Sequence, residues 1–310
     1  MPNAPAESLL REHHAFVPTD NAFQRRARLL QARWRERQGL AIGEHRGAPL
    51  GSRLVMPDAE ERLTNYLTDG IRAVVRREVL DPTKRGDRLL GKPRIFNDLL
   101  SSQPLCFNLF GELERDLPLA TRAFADLTAG RAEHVTAIEF EHSPGRGDAR
   151  YTGDRSAFDV FVEYRRGPVR GFLGIEVKYH EGLGDPASKH HPRYDEIAAK
   201  CGHFAADALD RLKEPPLQQI WRDHLLAQSI VQARDYDEGS FVFLHPRDNE
   251  NCARAVVAYR ACLADTTDPP PFAAWTLEQV TAAIRSAGAG PWIDAFEERY
   301  LAFDRSEDAP

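Results

Sequence analysis

Asp159, Glu176 and Lys178 are the residues of this 310-residue chain whose types and spacing best suit chemistry. They fall in two runs that read as strands, SAFDVFVEY and GFLGIEVKYHE, where charge stands among apolar residues. A charge inside a sheet is costly unless it is paired or binds a metal. In the second run Gly174, Glu176 and Lys178 share one face, and Leu173, Ile175 and Val177 share the other. In the first run Asp159 faces away from Val160, leaving Phe158, Val160 and Val162 for the core. A turn at Gly167-Pro168 would join the runs as a hairpin whose strands lie about 4.8 Å apart, so that Asp159 can stand beside Glu176. Two carboxylates at that distance repel unless a positive group sits between them. Mg²⁺, for which Mn²⁺ can substitute, takes one or two carboxylates and leaves positions for water and phosphate. The Val177 carbonyl offers a further oxygen, and Lys178 would stand beside an attacking water. Such a set suits hydrolysis of a phosphodiester. The plainer explanation is a Glu–Lys pair on an exposed strand face. It fits poorly with Phe172, Leu173, Ile175, Val177 and Tyr179, which suggest a strand covered on both sides.

The elements that must position these residues follow from periodicity. Residues 20–38 alternate Arg with Ala, Leu and Trp34 and predict a helix with one apolar side. Gly39 to Pro49 reads as loop, Asp58 to Arg77 as a second helix started at Pro57-Asp58, and Asp81 to Pro93 as loop. In SSQPLCFNLFGELERDL, Ser102 would cap a helix beginning near Pro104. Leu105, Leu109 and Leu113 form its apolar ridge, and Asn108 and Glu112 a polar stripe. From His134 the period becomes two, with Ile138 and Phe140 on one face and Val135, Ala137, Glu139 and Glu141 on the other. Strands over 134–141, 157–164 and 171–179 make an antiparallel meander. Helical patterns return over 193–213 and in PPLQQIWRDHLLAQSIVQ, and SFVFLHP adds a last strand over 240–246. The remainder to 303 reads as helical, with a Pro-rich break at 269–271.

Composition bounds the rest. With 42% hydrophobic and 28% charged residues the chain is ordinary for a soluble globular protein. No apolar run approaches the roughly 18 residues of a membrane span, and the N-terminus lacks a secretory pattern. Cys106, Cys201, Cys252 and Cys262 are scattered, which argues against a zinc cluster or disulfide framework and fits a reducing cytoplasm. Cys252 and Cys262 read as packing residues. The net charge of −6 counts mildly against a protein devoted to nucleic acid. Two basic segments, Arg25 to Arg37 and Arg72 to Arg94, are each explained by solvated helix faces but together permit a basic binding face.

Several other residues compete for roles. Gln218 and Arg222 lie four apart on one helix face, where a forked cation and an amide can grip phosphate; an Arg222–Asp223 pair is the simpler account. Ser101, Ser102 and Gln103 read first as a helix start, with phosphate contact through Ser102 and its neighbours' free N–H groups as a second use. Asp154, in Thr-Gly-Asp-Arg, suits turn capping better than ligation. His180, His190 and His191 match no zinc spacing, and with Gly184 and Pro186 they mark a loop that can lie over a substrate. His224 and His245 read as structural.

An acidic residue in one strand and E-x-K in the next resembles the PD-(D/E)XK nuclease superfamily, as does the order helix, three strands, helix, strand. FNDLLSSQPLCFNLFGEL, TGDRSAFDVFVEY, GIEVKYHE and QQIWRDHLLA are similar to a bacterial branch described as restriction endonucleases, over most of residues 95–262. The resemblance implies an α/β restriction-endonuclease-like core with a mixed sheet flanked by helices. It makes Asp159 and Glu176 metal ligands and Lys178 the catalytic lysine, and it favours Glu141 as a second acidic ligand or a water-orienting group over a solvated strand edge shared with Glu139. It also brings in Glu112, since the helix before the first strand sometimes donates an acid, though pairing with Arg115 explains Glu112 equally well. Phe158 stands where the motif has proline. The expected organisation is a helical N-terminal elaboration (1–95), the nuclease-like core (96–262) and a helical C-terminal extension (263–310). The expected activity is Mg²⁺-dependent cleavage of DNA in restriction, defence or DNA processing, with the basic segments on the backbone. A homodimer is compatible with it, because cutting both strands commonly needs two sites. The rivals are a catalytically silent DNA-binding or scaffold protein of the same fold, and a glycosidase with two carboxylates.

Overall fold

The residues from 158 to 177 carry enough apolar side chains to cover both faces of a sheet, and they form its central hairpin. The computed structural model describes residues 4–83, 88–184, 187–264 and 271–304. Lys84 and Arg85 of the second basic segment, Pro186, and Pro269 and Pro270 of the Pro-rich break lie outside the described residues. A small antiparallel hairpin, β1 (Ile42–His45) and β2 (Ala48–Leu54), precedes the main sheet. The main sheet comprises β3 (His134–His142), β4 (Phe158–Arg166), β5 (Val169–Val177), β6 (Glu238–His245) and β7 (Phe272–Thr276), side by side in that order. β3, β4 and β5 pair antiparallel, and β6 and β7 add in parallel. Among the described residues the helices of nine residues or more are α1 (Ala22–Arg37), α2 (Ser102–Arg115), α3 (Leu117–Leu127), α4 (Pro192–Cys201), α5 (Gln218–Gln232), α6 (Glu250–Arg260), α7 (Leu277–Ser286) and α8 (Trp292–Tyr300).

Alternation along the strands splits the core in two. Val160, Val162, Leu173, Ile175 and Val177 join α1, α2, α3, α7 and α8 on one face. Phe158, Phe161, Phe172, Phe241 and Phe243 join α4, α5 and α6 on the other. The crossover from β5 to β6 therefore runs through α4 and α5, and that from β6 to β7 through α6, as parallel pairing requires.

The two ends of the chain meet over the first face. Arg299 is fully buried. It donates to the Asn65 carbonyl at 2.7 Å, to the Asn65 side chain and to Gln31 Oε1 at 3.2 Å, and it lies 4.1 Å from the Trp34 ring centroid. Asn108 on α2 accepts from the Leu67 N–H at 2.9 Å and donates to Tyr300 Oη at 2.9 Å.

Several sequence expectations change. The Gly39–Pro49 loop is the β1–β2 hairpin, turned by Arg46 (φ 54°) and Gly47 (φ 79°), both in the left-handed region that two-residue hairpins use. The helix expected over 58–77 is broken at Leu63 (φ 53°) into Asp58–Arg62 and Asp69–Val75, followed by a π-helical turn, Arg76–Leu80. Ser101, not Ser102, caps α2. A register shift between Val135 and Ala137 brings Val135 onto the same face as Ile138 and Phe140. Phe158 faces the core opposite to Val160. β7 was expected as helix; the C-terminal segment instead supplies an edge strand, and the N-terminal one is not wholly helical.

Arg299→Met keeps bulk but leaves the Asn65 and Gln31 acceptors unpaired. We expect it to lower unfolding stability by about 3 kcal/mol, measured as a fall in the urea midpoint at unchanged slope.

Candidate active site

Register does the first part of the positioning. Val160 pairs with Ile175 and Phe161 with Gly174, which one step on sets Asp159 across from Glu176. Asp159 Oδ2 accepts the Val177 N–H at 2.8 Å. Gly174 makes room for the Phe158 ring, because a Cβ there would meet the ring at 2.5 Å. Glu176 Oε1 accepts from Lys178 Nζ at 2.9 Å and from Gln219 Nε2 of α5 at 2.8 Å. The Lys178 N–H donates to the Leu244 carbonyl at 2.8 Å, extending the β5–β6 pairing through the lysine.

The charges are buried and strongly coupled. Burial pushes Asp159 well above the usual carboxylate range, and Glu176 adds to the effect, against the opposing pull of Lys178 and the Val177 N–H. Burial disfavours the Lys178 ammonium, but Glu176, Glu181 and Asp159 outweigh it and hold its pKa above the ordinary lysine value. Asp223 is likewise pushed well above the carboxylate range, by burial and then by Glu176. A cavity of about 340 Å³ opens over Glu176, lined also by Glu141, Ser156, Gln219, Arg222 and Asp223.

Among the described residues no group of three His, Cys, Asp or Glu side chains is gathered to hold a metal ion. The donor set nonetheless suits a hard divalent cation, which needs only one or two carboxylates from protein. Asp159 and Glu176 are adjacent and oxygen-bearing, and burial and Glu176 together oppose the Asp159 charge more than Lys178 and the Val177 N–H favour it.

A family model described as the PD-(D/E)XK nuclease superfamily matches residues 18–302. The chain belongs to the PD-(D/E)XK nuclease superfamily. No curated protein and no solved structure matches it. Nucleases of this superfamily usually use divalent metals. The match spans all three segments of the chain, in keeping with a core that all three build. No helix among the described residues is long and apolar enough to cross a membrane.

Of the residues read from the sequence, Asp159, Glu176, Val177 and Lys178 come together, and Glu141 borders them. Glu141 takes φ 52°, a strained value for a non-glycine residue in a strand. It binds Arg146 at 2.9 Å and the Leu89 N–H at 3.3 Å. Glu112 is not brought to this cluster: it accepts from the Thr68 hydroxyl and from Arg115 at 2.8 Å. The Ser102 N–H is taken by Glu181 at 2.8 Å, so a protein carboxylate fills the helix end expected to be free for phosphate. Gln218 holds both backbone groups of Ser188, at 2.6 and 2.7 Å. Arg222 donates to Ser188 Oγ at 2.9 Å, Ser156 Oγ at 3.0 Å and Asp154 at 3.1 Å. These two anchor the loop after β5 at the cavity edge. The expected basic face on α1 does not exist as such, since Arg26, Arg28 and Arg35 are buried. Arg26 and Arg28 pair with Asp248 and Asp20, and Arg35 donates to the Gly51 and Leu40 carbonyls. In the second basic segment Arg72, Arg77, Arg88 and Lys92 pair with Asp69, Glu114, Glu78 and Glu60.

Gln219, Asp223 and Glu181 were missed. Gln219 and Asp223 form an i, i+4 pair one residue out of step with Gln218 and Arg222. The sequence did not reveal which pair faces E-x-K.

Asp154 is a knot behind the cavity. Burial opposes its charge, but hydrogen bonds from Tyr194, Ser156 and Thr152 hold its carboxyl well below the usual range. A depressed carboxylate adds stability above its unfolded pKa and loses it as pH falls toward the folded value. The stability gap between wild type and Asp154→Asn should therefore be widest near neutrality and narrow from about pH 5 to about pH 3. Urea melts across that range test it, and a constant gap would contradict it.

Proposed function

We propose that the protein is a divalent-metal-dependent nuclease that hydrolyses DNA phosphodiester bonds, with Mg²⁺ as metal and Mn²⁺ able to replace it. The observation that carries this reading is the meeting of Asp159, Glu176 and Lys178 on neighbouring strands, with Glu176 opening onto a concave, polar cavity. Asp159, Glu176 and the Val177 carbonyl would hold the cation, and Glu141 borders the same space. When bound, the cation supplies Lewis-acid activation of water and neutralises charge on the phosphate.

The protein's own groups do the rest. The carboxylates around Lys178 favour its protonated form, in which it would orient the water and face the negative charge that builds on the phosphate oxygens. Gln219 and Lys178 both bind Glu176 Oε1 and fix the direction of that carboxylate. The 88–91 segment is clamped by Gln103, which accepts from the Gly91 N–H at 2.9 Å and donates to the Leu89 carbonyl at 3.0 Å. With Ser188 held by Gln218 and Arg222, it narrows the entrance and limits bulk water. Restriction or another DNA-processing role fits this chemistry equally.

The test is incubation with supercoiled plasmid and with single-stranded DNA in Mg²⁺, Mn²⁺ or EDTA. Cleavage should need metal and disappear in Asp159→Ala and Glu176→Ala. Lys178→Ala should slow it by at least about a hundredfold. If the folded, metal-supplied protein cuts neither DNA, a non-catalytic nuclease fold becomes the better reading.

A further inference from the structure

The way to Glu176 is narrow, and its walls are held. Glu176 and Lys178 are 7% and 9% exposed. The cavity over Glu176, about 340 Å³, is near the small end of those that hold one ligand molecule. Leu89 forms one wall; its N–H donates to Glu141 at 3.3 Å and its carbonyl accepts from Gln103 at 3.0 Å. Ser188 forms another, bound by Gln218 and Arg222. Arg146 ties down a third, the loop before β4, by donating to the Arg155 carbonyl at 2.6 Å and to Glu141 at 2.9 Å. The lining divides by chemistry. Glu176, Gln219 and Asp223 make it polar around the carboxylates, whereas Leu89, 51% exposed, and the exposed Pro215 and Pro216 present apolar surface. A single exposed leucine is ordinary. One whose N–H and carbonyl are both fixed, in a cavity that two prolines also line, is an apolar platform held in place.

We infer that the site takes unpaired DNA, a single strand or a frayed end, with base faces next to the scissile phosphate resting on Leu89 and the two prolines. The inference rests on the nuclease reading of this site and names its substrate. A duplex is a stiff rod gripped by neutralising phosphates on both strands, and this chain is poorly equipped for that. Its net charge is −6. Arg26, Arg28 and Arg35 are buried, and Arg72, Arg77, Arg88 and Lys92 are paired with carboxylates. A single strand asks for fewer cations, because stacking of its bases supplies part of the affinity whatever their sequence. Base faces are free for such stacking when the strand is unpaired, and apolar side chains are known to take that place against bases. An apolar platform beside a recessed, polar catalytic end matches this substrate.

Fluorescence anisotropy of a labelled DNA oligonucleotide, alone or annealed to its complement, tests this on the whole protein. Ca²⁺ replaces Mg²⁺ in the binding step so that hydrolysis does not consume the DNA. The single strand should bind at least about tenfold more tightly than the duplex, and abasic positions in the bound stretch should cost about tenfold. Leu89→Ser should weaken single-strand binding by at least about threefold at an unchanged melting temperature, and Leu89→Met should restore it. Duplex bound and, in Mg²⁺, cut as well as the single strand would overturn the inference and leave the nuclease reading standing. Equal binding of abasic and intact strands, or unchanged binding by Leu89→Ser, would overturn it as well. Preferred single-strand binding with no cleavage in Mg²⁺ or Mn²⁺ would count against the nuclease reading and leave this inference standing. If neither DNA is bound, both fall.

Discussion

Two carboxylates are forced together where water is scarce, and the site is organised around that repulsion. The β4–β5 register sets Asp159 against Glu176, and neither can move without breaking a strand packed on both faces. Each neighbouring group relieves part of the strain. The Val177 N–H turns to Asp159, while Lys178 and Gln219 converge on one oxygen of Glu176. What they leave is a negative surplus whose natural complement is a small, hard cation. The same repulsion would be pointless in a protein that used only the shape of the fold, because an apolar pair would be cheaper to bury.

The rest of the chain holds this arrangement rigid from behind. Glu181, three residues past the lysine, accepts from the Ser102 and Tyr179 N–H groups and ties the end of β5 to the start of α2. Gln31 of α1 and Asn65 converge on Arg299, so that the first and last helices close over one face of the sheet. Three of the arginines of α1, Arg26, Arg28 and Arg35, are buried and serve the packing. A run of six arginines reads as a surface because arginine is usually exposed, but a buried guanidinium with full hydrogen bonding is stable.

Much of this was legible in the sequence because strand patterns have a strict period. The meander, its turn at Gly167-Pro168 and the facing of Glu176 and Lys178 follow from alternation alone. Where alternation slips, the reading slips with it. The bulge near Val135 reverses a face, and Phe158 crosses to the other core, its ring lying over Gly174, where a side chain would block it. β7 is five residues with two adjacent alanines, too short a stretch to announce itself by its period. The β1–β2 hairpin was hidden by an Arg-Gly turn in place of the usual Asn-Gly. In the site, E-x-K was legible because its residues are neighbours in one strand. The contribution of α5 was not, because a helix offers overlapping i, i+4 pairs and only packing selects between them. Glu112 illustrates the converse: it stands on the right helix but on the side that meets Thr68 and Arg115.

The selection made on α5 has a consequence for how the site can open. One helix carries both the residues that face the carboxylates, Gln219 and Asp223, and those that hold the outer loop, Gln218 and Arg222. The inner pair is backed by Trp221, Leu225 and the sheet beneath, all fully buried. The outer pair grips Ser188 through side-chain hydrogen bonds at the cavity edge, and Asp154 braces Arg222 from the far side. Such bonds exchange with water at small net cost, whereas shifting a packed helix does not. Any widening needed to admit a nucleic-acid strand therefore falls on the loop after β5, while the spacing between Glu176 and α5 is preserved. Rigidity where the carboxylates meet and compliance at the rim are what a site needs if it is to fix an ion first and take a large substrate afterwards.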